Sequence, residues 1–214
     1  MNRDKAPSFY YEAEMKPRFY LSVLSICLLS SISFSQEADG LKSIFNGKDF
    51  TGWKLPDDNV WFTAADGILT VKNSPDKKGK TIWTTAEYAD FSMEFDFKFG
   101  KGIVDSGIFI KNEKEQIQIG ISGSKKRDMT ASPYIPGKGY PVEAEGVKEL
   151  LKLDDWNSMR IEVSGKLYTV WLNGKKVMTY ESESAIEKGP LGIQLHAGKE
   201  MAIEYRNLKA TSQK

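Results

Sequence analysis

Amide and imidazole side chains recur at alternating positions in two segments of this 214-residue sequence. Gln116 and Gln118 are two residues apart, and so are Gln194 and His196. If both segments are strands, each pair lies on one face of its sheet. Amide and imidazole groups both donate and accept hydrogen bonds, which suits hydroxyl-rich ligands. The spacing therefore predicts a sugar-binding face; the alternative is a solvated sheet face with ordinary polar residues.

Three aromatic residues, Trp83, Tyr134 and Tyr140, fall in predicted loops or strand ends and are candidates to cover the face of a sugar ring. His196 is the only histidine, and imidazole is the side chain that exchanges protons most readily near neutral pH. His196 is therefore a candidate proton-transfer residue, with a purely structural role as the alternative.

Composition and motif searches exclude several kinds of chemistry. The chain has 30 basic and 29 acidic residues and a formal net charge of +1, unlike the basic surface of a nucleic-acid-binding protein. One cysteine and one histidine exclude a disulfide scaffold, a Cys/His zinc site and a two-histidine metal motif. No nucleophile-elbow, P-loop or dinucleotide-binding motif is present.

Period-two alternation of apolar and polar residues predicts that antiparallel strands position these groups. Phe91 to Phe99 shows it most clearly, and Asn173-Gly174 predicts a tight hairpin turn. Further strands are predicted around 117–121, 159–163, 168–172, 191–196 and 201–208. Helical periodicity is nearly absent; only Val147–Leu153 predicts a turn or short helix. The pattern predicts one all-β domain, a sandwich or barrel, with a long, proline-containing and hence functional loop from Gly123 to Leu153.

The N-terminal 35 residues predict a signal peptide. Lys16 and Arg18 precede the apolar run at 19–34, which is too short and too rich in serine for a membrane span. We expect cleavage after Ser35, with Met15 as an alternative start, and export to the periplasm or the cell exterior without a stable membrane span. Lipidation at Cys27 is disfavoured because Ile26 is bulky and the apolar run continues beyond it.

Short motifs in a fixed order resemble those of one known family. They are Ile44–Trp53 (IFNGKDFTGW), Trp61 with Asp66–Leu69, Tyr88–Phe91, Asp105–Ile108, Trp156-Asn157, Leu172–Gly174, Gly192–His196 and Tyr205–Leu208. Together they resemble the 3-keto-disaccharide hydrolase domain family. The resemblance implies a concanavalin A-like jelly-roll β-sandwich of two antiparallel sheets. Its domain would cover 44–210, after a short lead at 36–43 and before a tail at 211–214.

Three positions depart from the family pattern. Asp105 stands where asparagine is usual, Lys111 about where arginine is common, and Gln116 where glutamate is common. Glutamine cannot ionise, so it cannot act as a general base. We expect either that the acidic role has moved to Asp105 or Asp96, or that activity is altered or lost.

The resemblance implies action on a glycoside whose 3-hydroxyl has been oxidised to a ketone. A base removes the proton on C2, the enolate expels the group on C1, and water then adds. This chemistry needs a base and a group that stabilises charge at the ketone oxygen. We expect His196, Asp96 and Asp105 as catalytic residues, and Lys111 or Arg206 as the electrostatic partner.

The expected partner is a carbohydrate, bound by a set of polar and aromatic residues: Lys111, Gln116, Gln118, Gln194, Arg206, Trp83 and Tyr134. An ion pair with Glu204 or Asp96 is the alternative for Arg206. No cofactor is expected, although some lectin-like sandwiches bind a divalent metal such as calcium. A non-catalytic carbohydrate-binding module and an interaction domain remain the alternatives to an enzyme.

Overall fold

The computed structural model describes residues 40–212, and the predicted signal peptide with Cys27 lies outside the described residues. Fourteen strands and one short helix are present within 40–212. The strands are β1 (Lys42–Ser43), β2 (Trp53–Lys54), β3 (Phe62–Ala65), β4 (Ile68–Lys72), β5 (Lys80–Tyr88), β6 (Phe91–Gly102), β7 (Asp105–Ile110), β8 (Gln116–Gly120), β9 (Pro133–Tyr134), β10 (Asn157–Ser164), β11 (Leu167–Leu172), β12 (Lys175–Glu181), β13 (Gly189–Leu195) and β14 (Met201–Ser212).

All the strands of this region pair antiparallel in two sheets. The first sheet has the order β12-β11-β10-β6-β14-β4-β3, and β1 adds to β14; the second has the order β2-β5-β13-β7-β8-β9. Neighbours in space are mostly distant in sequence, as expected for a jelly roll. The predicted all-β sandwich of two antiparallel sheets is confirmed.

The core lies between the two sheets and follows the predicted alternation. Phe91 and Phe97 of β6 are fully buried, and Ile108 and Ile117 on the second sheet's inner face belong to the same buried cluster. Each side chain of this size, when buried, contributes about 1.5–3 kcal/mol. Residues of even number on β6 and of odd number on β7 therefore point away from the core.

The hairpin turn and the short helix predicted from the sequence are both present. Asn173 and Gly174 have φ angles of 48° and 79°, as a type I′ turn between β11 and β12 requires. The short helix α1 covers Val147–Leu150, within the predicted segment. Among the described residues no helix is long and apolar enough to cross a membrane. The sheet begins at Lys42 and ends at Ser212, slightly outside the predicted domain bounds.

The first family motif forms a turn held by its own side chains. Asn46 Oδ1 accepts hydrogen bonds from the backbone N–H groups of Lys48 and Asp49, at 2.8 and 3.0 Å. Trp53 Nε1 donates to the carbonyl oxygen of Ile44 at 2.7 Å. These contacts join β1 and β2, so this motif holds the entry to the fold together.

Candidate active site

The outer face of the second sheet collects most of the predicted site residues. Register places Trp83 of β5 opposite Gly192 of β13, and Gln194 opposite Gly107 of β7. Gly107 lies opposite Gln118 of β8, and Gln116 lies opposite Tyr134 of β9. Asp105 begins β7 on the same face, and His196 directly follows β13. One sheet face thus holds Trp83, Asp105, Gln116, Gln118, Tyr134 and Gln194.

Two glutamines and one aspartate on this face form a directional series of hydrogen bonds, here called the amide relay. Gln116 Nε2 donates to Gln118 Oε1 at 2.7 Å, and Gln118 Nε2 donates to Asp105 Oδ1 at 2.9 Å. All three residues are buried, with exposed fractions of 2–4%. Buried amides with satisfied partners are rigid, so the amide relay fixes the Asp105 carboxylate in place.

The second oxygen of Asp105 faces the only histidine of the chain. Asp105 Oδ2 lies 3.8 Å from His196 Nδ1, and the histidine side chain is 46% exposed. His196 Nδ1 is also 2.8 Å from the carbonyl oxygen of Ala197. Because a carbonyl oxygen only accepts, neutral His196 carries its proton on Nδ1. Nε2 is then left as an acceptor, which is the state that a general base needs.

Two acceptor atoms on this face are buried without a hydrogen-bond donor from any described residue. They are Asp105 Oδ2 and Gln194 Oε1. Unpaired buried acceptors cost free energy unless water or a ligand supplies the donor. Sugar hydroxyls are such donors, so both atoms are suited to a carbohydrate.

The long loop after β8 supplies further groups next to Asp105. A Cβ atom built on Gly123 would lie 3.3 Å from Asp105 Oδ2 and 4.0 Å from His196 Cε1. The neighbouring Ser122 lies beside the hydroxyl of Tyr140, whose pKa burial raises to about 12. The rings of Tyr140 and Tyr134 lie 5.2 Å apart. The predicted functional loop therefore borders the site.

An aromatic pair lies further along β13. The rings of Trp83 and Phe109 are stacked, with centroids 5.4 Å apart. A Cβ atom on Gly192 would be 2.7 Å from the Trp83 ring, so the indole crosses β13 where that strand has no side chain. Trp83 is half-buried and Phe109 is buried. This pair provides an apolar surface about 13 Å from His196, since His196 is four positions beyond Gly192 along the chain.

Lys111 lies away from this group. It follows β7 at the end opposite Asp105, six residues and about 20 Å along the strand. It is 2% exposed and donates to the carbonyl oxygen of Ile186 at 3.2 Å. Burial lowers the pKa of its amine. Lys111 borders a separate cleft with Asp90 and Glu187.

Asp96 and Arg206 lie on the solvent-facing side of the first sheet. Arg206 Nε is 3.1 Å from Asp96 Oδ2, and Asn207 Nδ2 donates to the same oxygen at 2.8 Å. The guanidinium also lies 4.0 Å from the centre of the Trp156 ring. The alternative ion pair between Arg206 and Asp96 is therefore present. Because the core separates this face from Asp105, neither residue joins the site.

Glu115 is next to Gln116 in the sequence, but its side chain points to the other side of the strand. Its carboxylate accepts hydrogen bonds from Tyr168, Ser182 and Ser184, the last two at 2.6 and 2.5 Å. Adjacent strand residues face opposite ways. Asp105 is thus the buried carboxylate of the amide face.

No group of three or more His, Cys, Asp or Glu side chains within residues 40–212 is arranged to hold a metal ion. The expectation of no cofactor, with a divalent metal such as calcium as the alternative, stays a prediction.

Sequence reasoning did not identify Ser122 and Gly123, and it treated Tyr140 only as a ring-covering residue. The signal was the loop's position directly after β8, because a chain leaving Gly120 must pass the first residue of the paired strand, Asp105. The sequence pattern did not predict that the loop after β8 folds back on itself and places Tyr140 beside Ser122.

Solved structures share this fold. Two proteins from Parabacteroides distasonis ATCC 8503, each described as a candidate glycosyl hydrolase, are 22% and 21% identical with TM-scores of 0.61 and 0.63. The matches cover 81% and 86% of this chain and 99% and 98% of theirs. Carbohydrate-binding module CBM66 from Bacillus subtilis is 13% identical with a TM-score of 0.51, over 75% of this chain and 96% of its own. At such identities these likenesses show the fold alone.

No match was found among curated proteins. The family profile of the 3-keto-alpha-glucoside-1,2-lyase-like domain matches residues 40–211, which confirms the resemblance seen in the ordered motifs. The chain therefore belongs to the 3-keto-alpha-glucoside-1,2-lyase-like domain family, a family of glycosyl hydrolase-like or carbohydrate-binding domains.

Proposed function

We propose that this protein cleaves 3-keto-glycosides, including 3-keto-disaccharides, by base-assisted elimination followed by hydration. The observation that carries the proposal is the pairing of buried Asp105 with half-exposed His196, at 3.8 Å, on a face lined with amides and an aromatic pair. Family membership agrees with this chemistry. An oxidised sugar is required because only a neighbouring carbonyl makes the C2 hydrogen acidic enough for a histidine to remove.

His196 is the general base in this proposal. Its Nδ1–H group donates to the carbonyl oxygen of Ala197, which leaves Nε2 to take the C2 proton. The side chain is accessible to a ligand, since 46% of it is exposed. Positioned general bases typically contribute 10²–10⁴-fold to a rate.

Asp105 stabilises the imidazolium that forms on His196. Its carboxylate is held by the amide relay on one oxygen and faces His196 Nδ1 with the other. A fixed negative charge near a cation in a buried site is more effective than one in water. In the second step the imidazolium returns a proton to the departing C1 oxygen, and water then adds to the C1–C2 double bond.

A non-catalytic carbohydrate-binding module is the second candidate function. The observation that favours it is Gln116, which places an amide where the family resemblance implies a carboxylate and engages it with Gln118. Such a module would use the same face, with hydroxyls donating to Asp105 Oδ2 and Gln194 Oε1.

Turnover distinguishes the two functions. Protein starting at residue 36 would be mixed with a 3-keto-disaccharide and, separately, with the parent disaccharide, with and without added Ca²⁺ or another divalent cation, and products followed by mass spectrometry. Cleavage of the keto sugar alone, lost in His196→Ala, supports the enzyme. Saturable binding without cleavage under every condition would reject the elimination reaction and support the binding module.

The proposal also places the protein outside the cytoplasm, in the periplasm or the medium, on the strength of the apolar run at 19–34. Expression of the full sequence in a bacterial host tests it. A mature N-terminus near residue 36 in the exported fraction supports the assignment, and an uncleaved cytoplasmic product contradicts it.

A further inference from the structure

Elimination from a 3-keto-glycoside places negative charge on the ketone oxygen, and a donor must meet it. The sequence predicted Lys111 or Arg206 for this role. Lys111 is about 20 Å along β7 from Asp105, and Arg206 pairs with Asp96 on the first sheet. Neither cation reaches a sugar that contacts His196, so the donor must come from elsewhere on the site.

We propose that Tyr140 is a catalytic residue whose hydroxyl donates a hydrogen bond to the ketone oxygen as it becomes an enolate. This inference rests on the proposed elimination. Tyr140 is half-buried, its ring lies 5.2 Å from that of Tyr134, which is opposite Gln116, and its hydroxyl lies beside Ser122. The next residue, Gly123, is the one whose Cβ position lies 3.3 Å from Asp105 Oδ2 and 4.0 Å from His196 Cε1. The phenol therefore lies beside the residue that precedes Gly123, next to the Asp105–His196 pair.

The hydrogen bonds around Ser122 leave the phenolic proton available. Ser122 Oγ accepts from the backbone N–H of Lys125 at 3.1 Å and lies 3.1 Å from Ser124 Oγ, which can donate to it. Ser122 can then direct its own proton to Tyr140, which leaves the Tyr140 proton for a ligand. Burial raises the pKa of Tyr140 to about 12, so the phenol stays protonated at neutral pH.

The step balances without any further reactant. Nε2 of His196 takes the C2 proton, and the C–H electron pair becomes the C2–C3 double bond. The electrons of the C3 carbonyl π bond move onto the oxygen, which accepts the hydrogen bond from Tyr140. The enolate then re-forms the ketone as the C1–O bond breaks, and the aglycone oxygen leaves with the proton from His196.

The test compares Tyr140→Phe with Tyr180→Phe, a half-buried tyrosine on β12 of the first sheet. Elimination of a 3-keto-disaccharide is followed by mass spectrometry, and exchange of the C2 hydrogen in D₂O by NMR. Loss of one such donor typically costs 10²–10³-fold in kcat. We expect that loss in both elimination and exchange for Tyr140→Phe, with KM nearly unchanged. Tyr180→Phe should retain kcat.

Other outcomes are distinguishable. If Tyr140→Phe is folded and turns over at the unsubstituted rate, this inference is wrong while the proposed function stands. If the unsubstituted protein cleaves no 3-keto-glycoside, the proposed function and this inference fall together. Should Tyr140→Phe unfold, Ser122→Ala keeps the phenol and removes its donor. A kcat equal to the unsubstituted value in that variant then contradicts the role, and a decrease with unchanged KM supports it.

Discussion

At the scale of single residues, Asp105 and Asp96 differ in burial and in hydrogen-bond partners, although both are aspartates and both were candidate catalytic residues. The Asp105 side chain is 5% exposed, and one of its oxygens has no donor within residues 40–212. The Asp96 side chain is 23% exposed, and Arg206 and Asn207 both donate to it. Asp105 has an unsatisfied oxygen next to a histidine, and Asp96 has its partners. Only the former can respond to a substrate.

Asp105→Asn should therefore reduce turnover strongly. The amide keeps the shape but removes the charge that stabilises protonated His196, and we expect kcat on a 3-keto-disaccharide to fall by about 100-fold or more. The matched control, Asp96→Asn on the first sheet, should leave kcat unchanged. Steady-state kinetics on both variants measures kcat. Equal losses of kcat in Asp105→Asn and Asp96→Asn would argue against Asp105 as the carboxylate that supports His196.

Trp83→Ala should weaken sugar binding. Removing the indole takes away the apolar surface over Gly192, and a loss of about 1.5–3 kcal/mol corresponds to an about 10- to 150-fold higher Kd. Calorimetric titration with the saccharide measures it. Trp171→Ala is the control, because Trp171 packs against Arg160 on the first sheet. An unchanged Kd in Trp83→Ala would remove Trp83 from the site.

Strands were the elements most readily predicted. Alternation placed Gln116 with Gln118 correctly, because neighbouring strand positions must face opposite ways. Alternation did not predict that Asp105 and Lys111 lie at opposite ends of β7. It also did not predict that β6, which carries Asp96, belongs to the first sheet and not to the sheet with Asp105. Those facts depend on strand order, which is decided by core packing between segments far apart in sequence.

Gly192→Ala tests how closely β5 and β13 approach each other. Its Cβ would be 2.7 Å from the Trp83 ring, and overpacking of this kind costs about 1–3 kcal/mol of unfolding free energy. In combination with Trp83→Leu the added methyl group has more room, so the double variant should lose less than the sum of the singles. Urea unfolding of the four proteins measures the coupling; strict additivity would contradict the contact.

The first family motif should matter for stability and not for turnover. Asn46→Ala removes an acceptor for two backbone N–H groups and should cost about 1–2 kcal/mol, in the manner of a lost cap. Thermal unfolding measures the loss of stability, and kcat on the same preparation shows whether turnover is unchanged. A large loss of kcat at an unchanged unfolding temperature would show that this turn contacts the ligand.

At the scale of the whole molecule, buried tyrosines make the stability of the fold depend on pH in the alkaline range. Burial raises the pKa of Tyr88, Tyr140, Tyr168 and Tyr205 above the ordinary value near 10. Their contribution to stability is fully present below pH 10. It is lost as the pH rises further, because the unfolded chain releases these protons first.

The free energy of unfolding should therefore fall above pH 10, by about 1.4 kcal/mol per pH unit for each tyrosine that is neutral only when folded. Tyr205→Phe should give a shallower fall, since Tyr205 is fully buried against Ser106. Urea midpoints at pH 9, 10 and 11 provide the measurement. Parallel curves for the two proteins would show that Tyr205 ionises equally in both states.

The amide relay has a polarity: every N–H in it points toward Asp105. Gln116→Glu alone would set a carboxylate against the carbonyl oxygen of Gln118, and Asp105→Asn alone would keep the acceptor for Gln118 but leave the series without a negative charge. Made together, the two changes let Gln118 turn over and reverse the whole series. The family resemblance implies that reversed arrangement, with asparagine and glutamate at these positions. Acid and amide can therefore exchange places as a pair, which would move the negative charge across one sheet face without removing it.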